Sequence, residues 1–426
     1  MFRDIISTIG ARYLVAVLNL LLIFVNGKVL GREGMGMVGL IYASANLAVI
    51  FNSILCGNTI IYFMNRYNLR YVFYPACGWA IAGSAVSCGA MFFLNMLPEG
   101  YEPAVFVLAV LISLTTAHSQ MILGKDNVKG FNRAHLLQGI LMFLALLYIY
   151  FVADYRHVNG YLTGLFLVNL VACAYTLILL LPHLWKRETA VAGRSFFKAL
   201  KEMFVYGIWS GTDNLAEGLA TRLNYFLVKS AGGYGSVGLL DSGTKMSESV
   251  WHISNSVSYI EYNSISKTAD REKQKRVTLQ LFKMTCCALT AVMAVIVCIP
   301  EWIFTRYLLT PEFAGIRKVI WGLSFGIVAL GSNRVLSHYF IGSGNIRYST
   351  FCSLFGLVVL LIAGFILIPH FGVFGAALTS SIAYTGMLLF SLLIFMKKTG
   401  TFPYELLPSK EDWTVLHKNL QRRKNK

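Results

Sequence analysis

Apolar stretches of about 20 residues follow one another almost from end to end of the sequence, each long enough at about 1.5 Å per residue to cross a hydrocarbon core of about 30 Å. That feature alone removes most folds. In hydrocarbon every backbone N–H and C=O must be satisfied within the spanning segment, so runs of this length read as membrane helices. Composition agrees. Of 426 residues, 56% are hydrophobic and only 13% charged, about half the charge of an ordinary soluble domain, and the mean hydropathy is +0.61. The apolar runs predict an all-α membrane protein of about twelve transmembrane helices, near 6–29, 35–63, 71–97, 102–123, 134–153, 160–182, 203–229, 236–263, 278–300, 313–340, 348–369 and 372–396. Pro98, Pro103, Pro182, Pro300, Pro311 and Pro369 fall at or near these ends, where a missing N–H costs no ladder bond.

Lysine and arginine total 37 against 20 acidic residues, a net charge of +17. Spread over a soluble surface, that surplus would suit nucleic acid. Here it follows the loops. Basic clusters such as Lys125, Lys129 and Arg133, or Lys267, Arg271, Lys273, Lys275 and Arg276, fall on alternate connections. The other connections carry only Lys28, Arg32, Arg156, Arg306, Arg317 and Lys318. By the positive-inside rule both termini are cytoplasmic. The partner is then the lipid bilayer, and no nucleic acid is expected. The first apolar run is read as a span, since no small-residue cleavage site follows it.

The longest cytoplasmic link, 183–202, sets Phe196, Phe197 and Leu200 against Arg194, Lys198 and Lys201, a pattern for a helix lying on the membrane surface. It divides the chain into a six-helix bundle over 1–182 and a second over 203–397, followed by a basic tail over 398–426. The halves look related. At an offset of 199, Val29–Leu40 matches Val228–Leu239 at several glycines, and Gly-x-x-Asn recurs at 124–127 and 342–345. Two like halves running in the same direction predict a pseudo-two-fold axis along the membrane normal with a cavity between them. The outer connections leave no room for a catalytic domain, and no nucleotide loop or Ser-His-Asp order is present, so the chain is not read as an enzyme. The eight cysteines lack metal-binding spacing and read as free thiols.

The chemically informative residues are charges deep within spans. Arg12, Asn19 and Asn26 recur every seven residues on one stripe of the first span, and Asp213, Glu217 and Asn224 share a face of the seventh, with Arg222 beside them. The eighth carries Asp241, Lys245, Glu248, His252, Asn255 and Tyr259 as one polar stripe, and the tenth pairs Arg334 with His338. Facing lipid, eight such acids and bases would cost about 20–30 kcal/mol at about 2.5–3.5 each, so they face one another or water. Some can be neutralising pairs, Asp241 with Lys245 and Asp213 or Glu217 with Arg222. A stripe over five turns exceeds one clamp, and reads as a hydrated cavity with bases for an anionic ligand and acids for a coupling cation. The tryptophans, Trp251 among them, read as interface belt and packing, and His118 and His338 as hydrogen-bonded helix contacts.

Twelve spans in two like halves, Arg12 early in the first span, the loop Gly31-Arg32-Glu33-Gly34-Met35-Gly36 and the basic link at 183–202 together resemble the multidrug, oligosaccharidyl-lipid and polysaccharide exporter superfamily. Over roughly residues 1–400 the chain looks most like its polysaccharide transporters, which flip undecaprenyl-diphosphate-linked oligosaccharides for O-antigen or capsule. The resemblance implies a bacterial inner-membrane flippase, monomeric, with a cavity that opens alternately to each side and hands units to a polysaccharide polymerase machinery. It implies that Arg12, Lys245, Arg334 and Arg222 receive the diphosphate. Asp213, Glu217, Asp241, Glu248 and His252 are candidates for coupling to H+ or Na+, with no other cofactor, and Asn19, Asn26 and Asn255 for the polar cavity lining. The peptidoglycan-precursor flippases of the superfamily usually have fourteen spans, against twelve here. A multidrug and toxin extruder on the same fold is the alternative: it calls for an acid-dominated aromatic cavity, which the acids support and the bases of spans one and ten oppose.

Overall fold

The computed structural model describes residues 2–57, 59–64, 67–185, 196–255, 257, 265 and 270–406, with the side chains of 2–9, 11, 12, 209 and 210 outside the described set. The regular structure of these residues is helical: α1 (Phe2–Cys56), α2 (Thr59–Met64), α3 (Leu69–Phe93), α4 (Glu102–Gly124), α5 (Val128–Phe151), α6 (Val158–Trp185), α7 (Phe196–Glu248), α8 (Arg271–Cys298), α9 (Ile316–Gly342) and α10 (Ile346–Thr399), with short turns at Glu301–Ile303, Phe304–Leu308, Pro311–Phe313 and Pro403–Leu406. A straight helix of 55 residues would run about 80 Å, far beyond one bilayer. The backbone instead breaks at Gly31 (φ 67°, ψ −174°) in α1 and at Gly233 (φ 69°, ψ −173°) in α7, a region essentially confined to glycine. A third break falls at Gly372 in α10. Eight helical stretches are long and apolar enough to cross a membrane. α1 and α10 each supply two spans, and α7, too polar to be counted among the eight, supplies two more, which makes twelve.

Helices α3–α6 pack on one another and on α1, while α8–α10 pack on one another and α9 and α10 pack on α7. The two sets meet where α1, α2 and α3 lie against α7, and where the Pro311–Phe313 turn reaches α1. Phe93, Phe325 and Trp185 are 85%, 81% and 80% exposed, which a soluble monomer would not tolerate in number but lipid does. The eight cysteines are free, with Cys56, Cys88 and Cys352 buried and Cys287 and Cys298 exposed.

Local signals explain several ends. Asn127 accepts a bond from the Gly130 amide at the start of α5, and Asp270 accepts from Glu272 and Lys273 at the start of α8. Both Gly-x-x-Asn motifs close one helix and open the next, since Gly124 ends α4 before Asn127, and Gly342 ends α9 before Asn345. The repeat register differs from the expected one. The backbone breaks at Gly31 and Gly233 lie 202 residues apart, so the glycine match at 199 aligns loop letters rather than the two turns. The basic link differs as well. Phe196, Phe197 and Leu200 begin α7, which continues without a break to Gly233, in place of a separate surface helix. Residues 186–195 and the tail from 407 lie outside the described residues.

Candidate functional site

The end of the molecule that carries the breaks at Gly31 and Gly233 is shut by backbone contact. A Cβ added at Gly36 would collide with the Tyr234 carbonyl, and one at Gly238 with the Arg32 carbonyl. Only glycine lets spans two and eight approach so closely. Arg32 ties three segments together: its Nε donates to the Gly235 carbonyl at 2.7 Å, its backbone N–H to Glu312 Oε2 at 2.9 Å, and its Nη1 to the Glu312 carbonyl at 3.4 Å. Glu301 accepts from the Gly315 amide just beyond.

Beneath this seal lies a cavity of about 570 Å³ whose walls come from spans one and two, α5 and α6 on one side and from spans seven and eight and α9 on the other. Arg222, Trp251 and Arg334 also line an adjoining lobe of about 310 Å³ that reaches Glu217, Asn214, Asn46 and Ser53. Span eight is interrupted here. α7 ends at Glu248, a turn follows, and residues 251–255 resume as helix. The Ser249 hydroxyl bonds back to Met246 O at 2.7 Å, the amides of Val250, His252 and Ile253 bond three residues back, and the Trp251 indole donates to Ile327 O at 2.8 Å. A discontinuous helix at mid-membrane is tolerated where it lines a polar cavity.

Each cavity base is matched to an acid. Arg222 Nη2 meets Glu248 Oε2 at 2.8 Å, Lys245 Nζ meets Asp241 Oδ2 at 2.8 Å, and Arg334 Nη2 lies 3.7 Å from Glu217 Oε1. Arg334 also donates to Asn255 Oδ1 at 2.8 Å and stacks over the Trp251 ring at 4.3 Å. Lys245 lies 5.9 Å from the Tyr42 ring centroid, across the span two interface. Charges so matched can sit at this depth without the cost of an isolated ion. The matching is uneven. Asp241 is 2% exposed, with its Lys245 side chain 27% exposed toward the cavity.

Several expectations change. The Asp241–Lys245 pair forms as expected, but Arg222 pairs with Glu248 rather than with Asp213 or Glu217. Asp213 does not line the cavity. It is buried, and its Oδ1 accepts from Ser353 at 2.8 Å on α10. The stripe from Asp241 to Tyr259 is not one continuous face, since the turn at 249–250 divides it and Tyr259 lies outside the described residues. Lys245, Glu248, His252 and Asn255 line the main cavity with Asn19 and Asn26. Arg12 lies on α1, and its side chain is outside the described set. Trp251 belongs to the cavity rather than to a belt. His118 is a buried helix contact as expected, with Nδ1 3.3 Å from Thr176 Oγ1. Sequence reasoning missed Tyr42, His135, Gln138, Tyr161 and Asn169 on the opposite wall. They are polar residues within apolar runs, which carry no energetic flag until their neighbours are known.

No protein-family model and no curated protein sequence matches the chain. Solved structures do. An inward-facing multidrug resistance MATE family transporter of the MOP superfamily superposes with a TM-score of 0.69 at 16% identity, over 91% of this chain and 94% of that one. The lipid II flippase MurJ, in an inward closed conformation, gives 0.68 at 14% identity over 94% and 88%. An outward-facing MATE family transporter gives 0.63 at 15% identity over 94% and 95%. The chain therefore has the fold of these MATE and MurJ structures.

Proposed function

We propose that the chain is a bacterial inner-membrane flippase that carries undecaprenyl-diphosphate-linked oligosaccharide units from the cytoplasmic to the periplasmic leaflet by alternating access, for O-antigen or capsule assembly. The observation that carries this reading is the group of three bases, Arg222, Lys245 and Arg334, lining one intramembrane cavity. A lipid diphosphate carries about two negative charges, and with the cell interior negative its outward movement gains about 2.3 kcal/mol per charge per 100 mV. The bases give the head group a resting place on that path. Phosphate oxygens take over the N–H donors now held by Glu217 and Glu248, and the released carboxylates take up a proton or sodium ion. The lipid tail stays in the membrane through the gap between spans one and eight, and the halves rock about α1 and α7 to open the Arg32–Glu312 seal. The enclosed chemistry is positional, so no covalent step is assigned to the chain.

The test is deletion of the gene in its native host, with mass spectrometry of polyprenyl-diphosphate oligosaccharides beside quantification of surface polysaccharide. Accumulated lipid-linked units with lost surface glycan are expected. Unchanged glycan with new sensitivity to cationic dyes would overturn the reading and move the chain to cation extrusion, in which Glu217 and Glu248 would be the principal groups.

A further inference from the structure

The two cavity walls differ in chemistry. Spans seven and eight with α9 contribute Arg222, Lys245, Glu248 and Arg334, whereas the described lining residues from α1, α5 and α6 include no Asp, Glu, Lys or Arg and a single imidazole, His135. That wall carries amides. Gln138 Nε2 donates to Asn169 Oδ1 at 3.0 Å, and Asn169 Nδ2 donates to its own helix at Leu165 O, 2.8 Å away. Asn169 is 2% exposed, so it serves as a fixed support that sets which way the Gln138 amide points. The Gln138 carbonyl and its second N–H then remain for a ligand. Asn26 Oδ1 accepts from Tyr150 Oη at 3.0 Å, which orients its amide in the same way. Asn19, seven residues earlier, is exposed on the same stripe.

We infer that this amide wall is the glycan subsite of the flippase, and that the sugars entering it are uncharged, bearing hydroxyl and acetamido groups rather than carboxylates. The inference rests on the flippase reading. A sugar hydroxyl both donates and accepts, and a primary amide offers both functions in one plane, so an amide held by a buried partner matches it without introducing charge. A carboxylated sugar would set its charge, in a medium of low dielectric, against a wall whose described residues offer amides and one imidazole but no Lys or Arg. The division of labour is spatial: the diphosphate lies on the charged wall of the second half and the first sugars on the amide wall of the first half, across one cavity.

The experiment uses the full chain in lipid nanodiscs and two probes, undecaprenyl diphosphate and the same lipid bearing one N-acetylhexosamine. The wild type is expected to hold the sugar-bearing lipid roughly tenfold more tightly, the worth of about one well-placed hydrogen bond. Gln138→Leu and Asn19→Leu are expected to bring that ratio toward one, whereas Lys245→Gln weakens both lipids and leaves the ratio in place. A wild-type ratio of one, or a ratio unmoved by both leucine variants, would overturn the glycan subsite. Failure of the wild type to bind either lipid would overturn the flippase reading itself.

Discussion

Arg222 and Glu248 sit 2.8 Å apart with side chains 19% and 13% exposed, so neither can lose its partner cheaply. Arg222→Ala leaves a carboxylate with little water and is expected to lower stability by about 3–5 kcal/mol. The double variant Arg222→Ala with Glu248→Ala should recover much of that loss, and thermal unfolding in detergent, analysed as a double-mutant cycle, reads both numbers. Lys245 differs, because its counter-ion Asp241 is buried behind it. Lys245→Gln is expected to weaken lipid-diphosphate binding about ten- to hundredfold, the range of a charge-assisted hydrogen bond, with Lys245→Arg retaining most of it. The sequence revealed which residues are ionisable and too costly for lipid, and the i, i+4 spacing located the Asp241–Lys245 pair. It could not reveal that Glu248 meets Arg222, because residues 26 apart come together only through the packing of spans seven and eight across the break at Gly233. The amides at 138 and 169 were illegible for a related reason. A neutral polar residue in an apolar run carries no energetic flag until its neighbours are known.

At the scale of elements, the seal beside Gly31 and Gly233 depends on two glycines and one arginine. Gly36→Ala or Gly238→Ala forces backbone atoms apart, and Arg32→Ala removes the bonds to Gly235 and Glu312. Each is expected to raise labelling of an introduced Asn26→Cys by a membrane-impermeant thiol reagent added outside, relative to the same cysteine with the seal intact. Unchanged labelling in all three would show that these contacts do not gate access. At the opposite end, Glu405 accepts from the Phe402 amide and pairs with Lys275. The amide bond first, then the lysine, hold its carboxyl below the usual carboxylate range. A depressed value means the contact contributes fully above the ordinary carboxylate pKa and is lost as pH falls through the folded value. Amide hydrogen exchange at 402–406 should therefore be slow at neutral pH and rise in acid. Glu405→Gln should remove that pH dependence. The twelve spans were legible from hydrophobic length alone. The breaks were not, since Gly31 is one of four glycines within 27–36 that no local rule ranks.

Across the whole molecule, the halves meet chiefly along α1 and α7, with α2 and α3 against α7 at the edge of that seam. Rocking one half on the other then rearranges one seam, and the amide-bearing and charged walls stay intact as they part. The Gly-x-x-Asn recurrence was legible and marked true helix ends. The register of the repeat was not, because the geometry is kept by the backbone at Gly31 and Gly233 rather than by matching letters around them. The most direct measurement of the central claim is transbilayer movement in proteoliposomes containing only this protein and a fluorescent undecaprenyl-diphosphate oligosaccharide, with an inside-negative potential imposed. Movement of the lipid to the outer leaflet that depends on the protein and is lost in Lys245→Gln is the expected result. No acceleration of the lipid, in vesicles that exchange a cationic dye for protons, would contradict it.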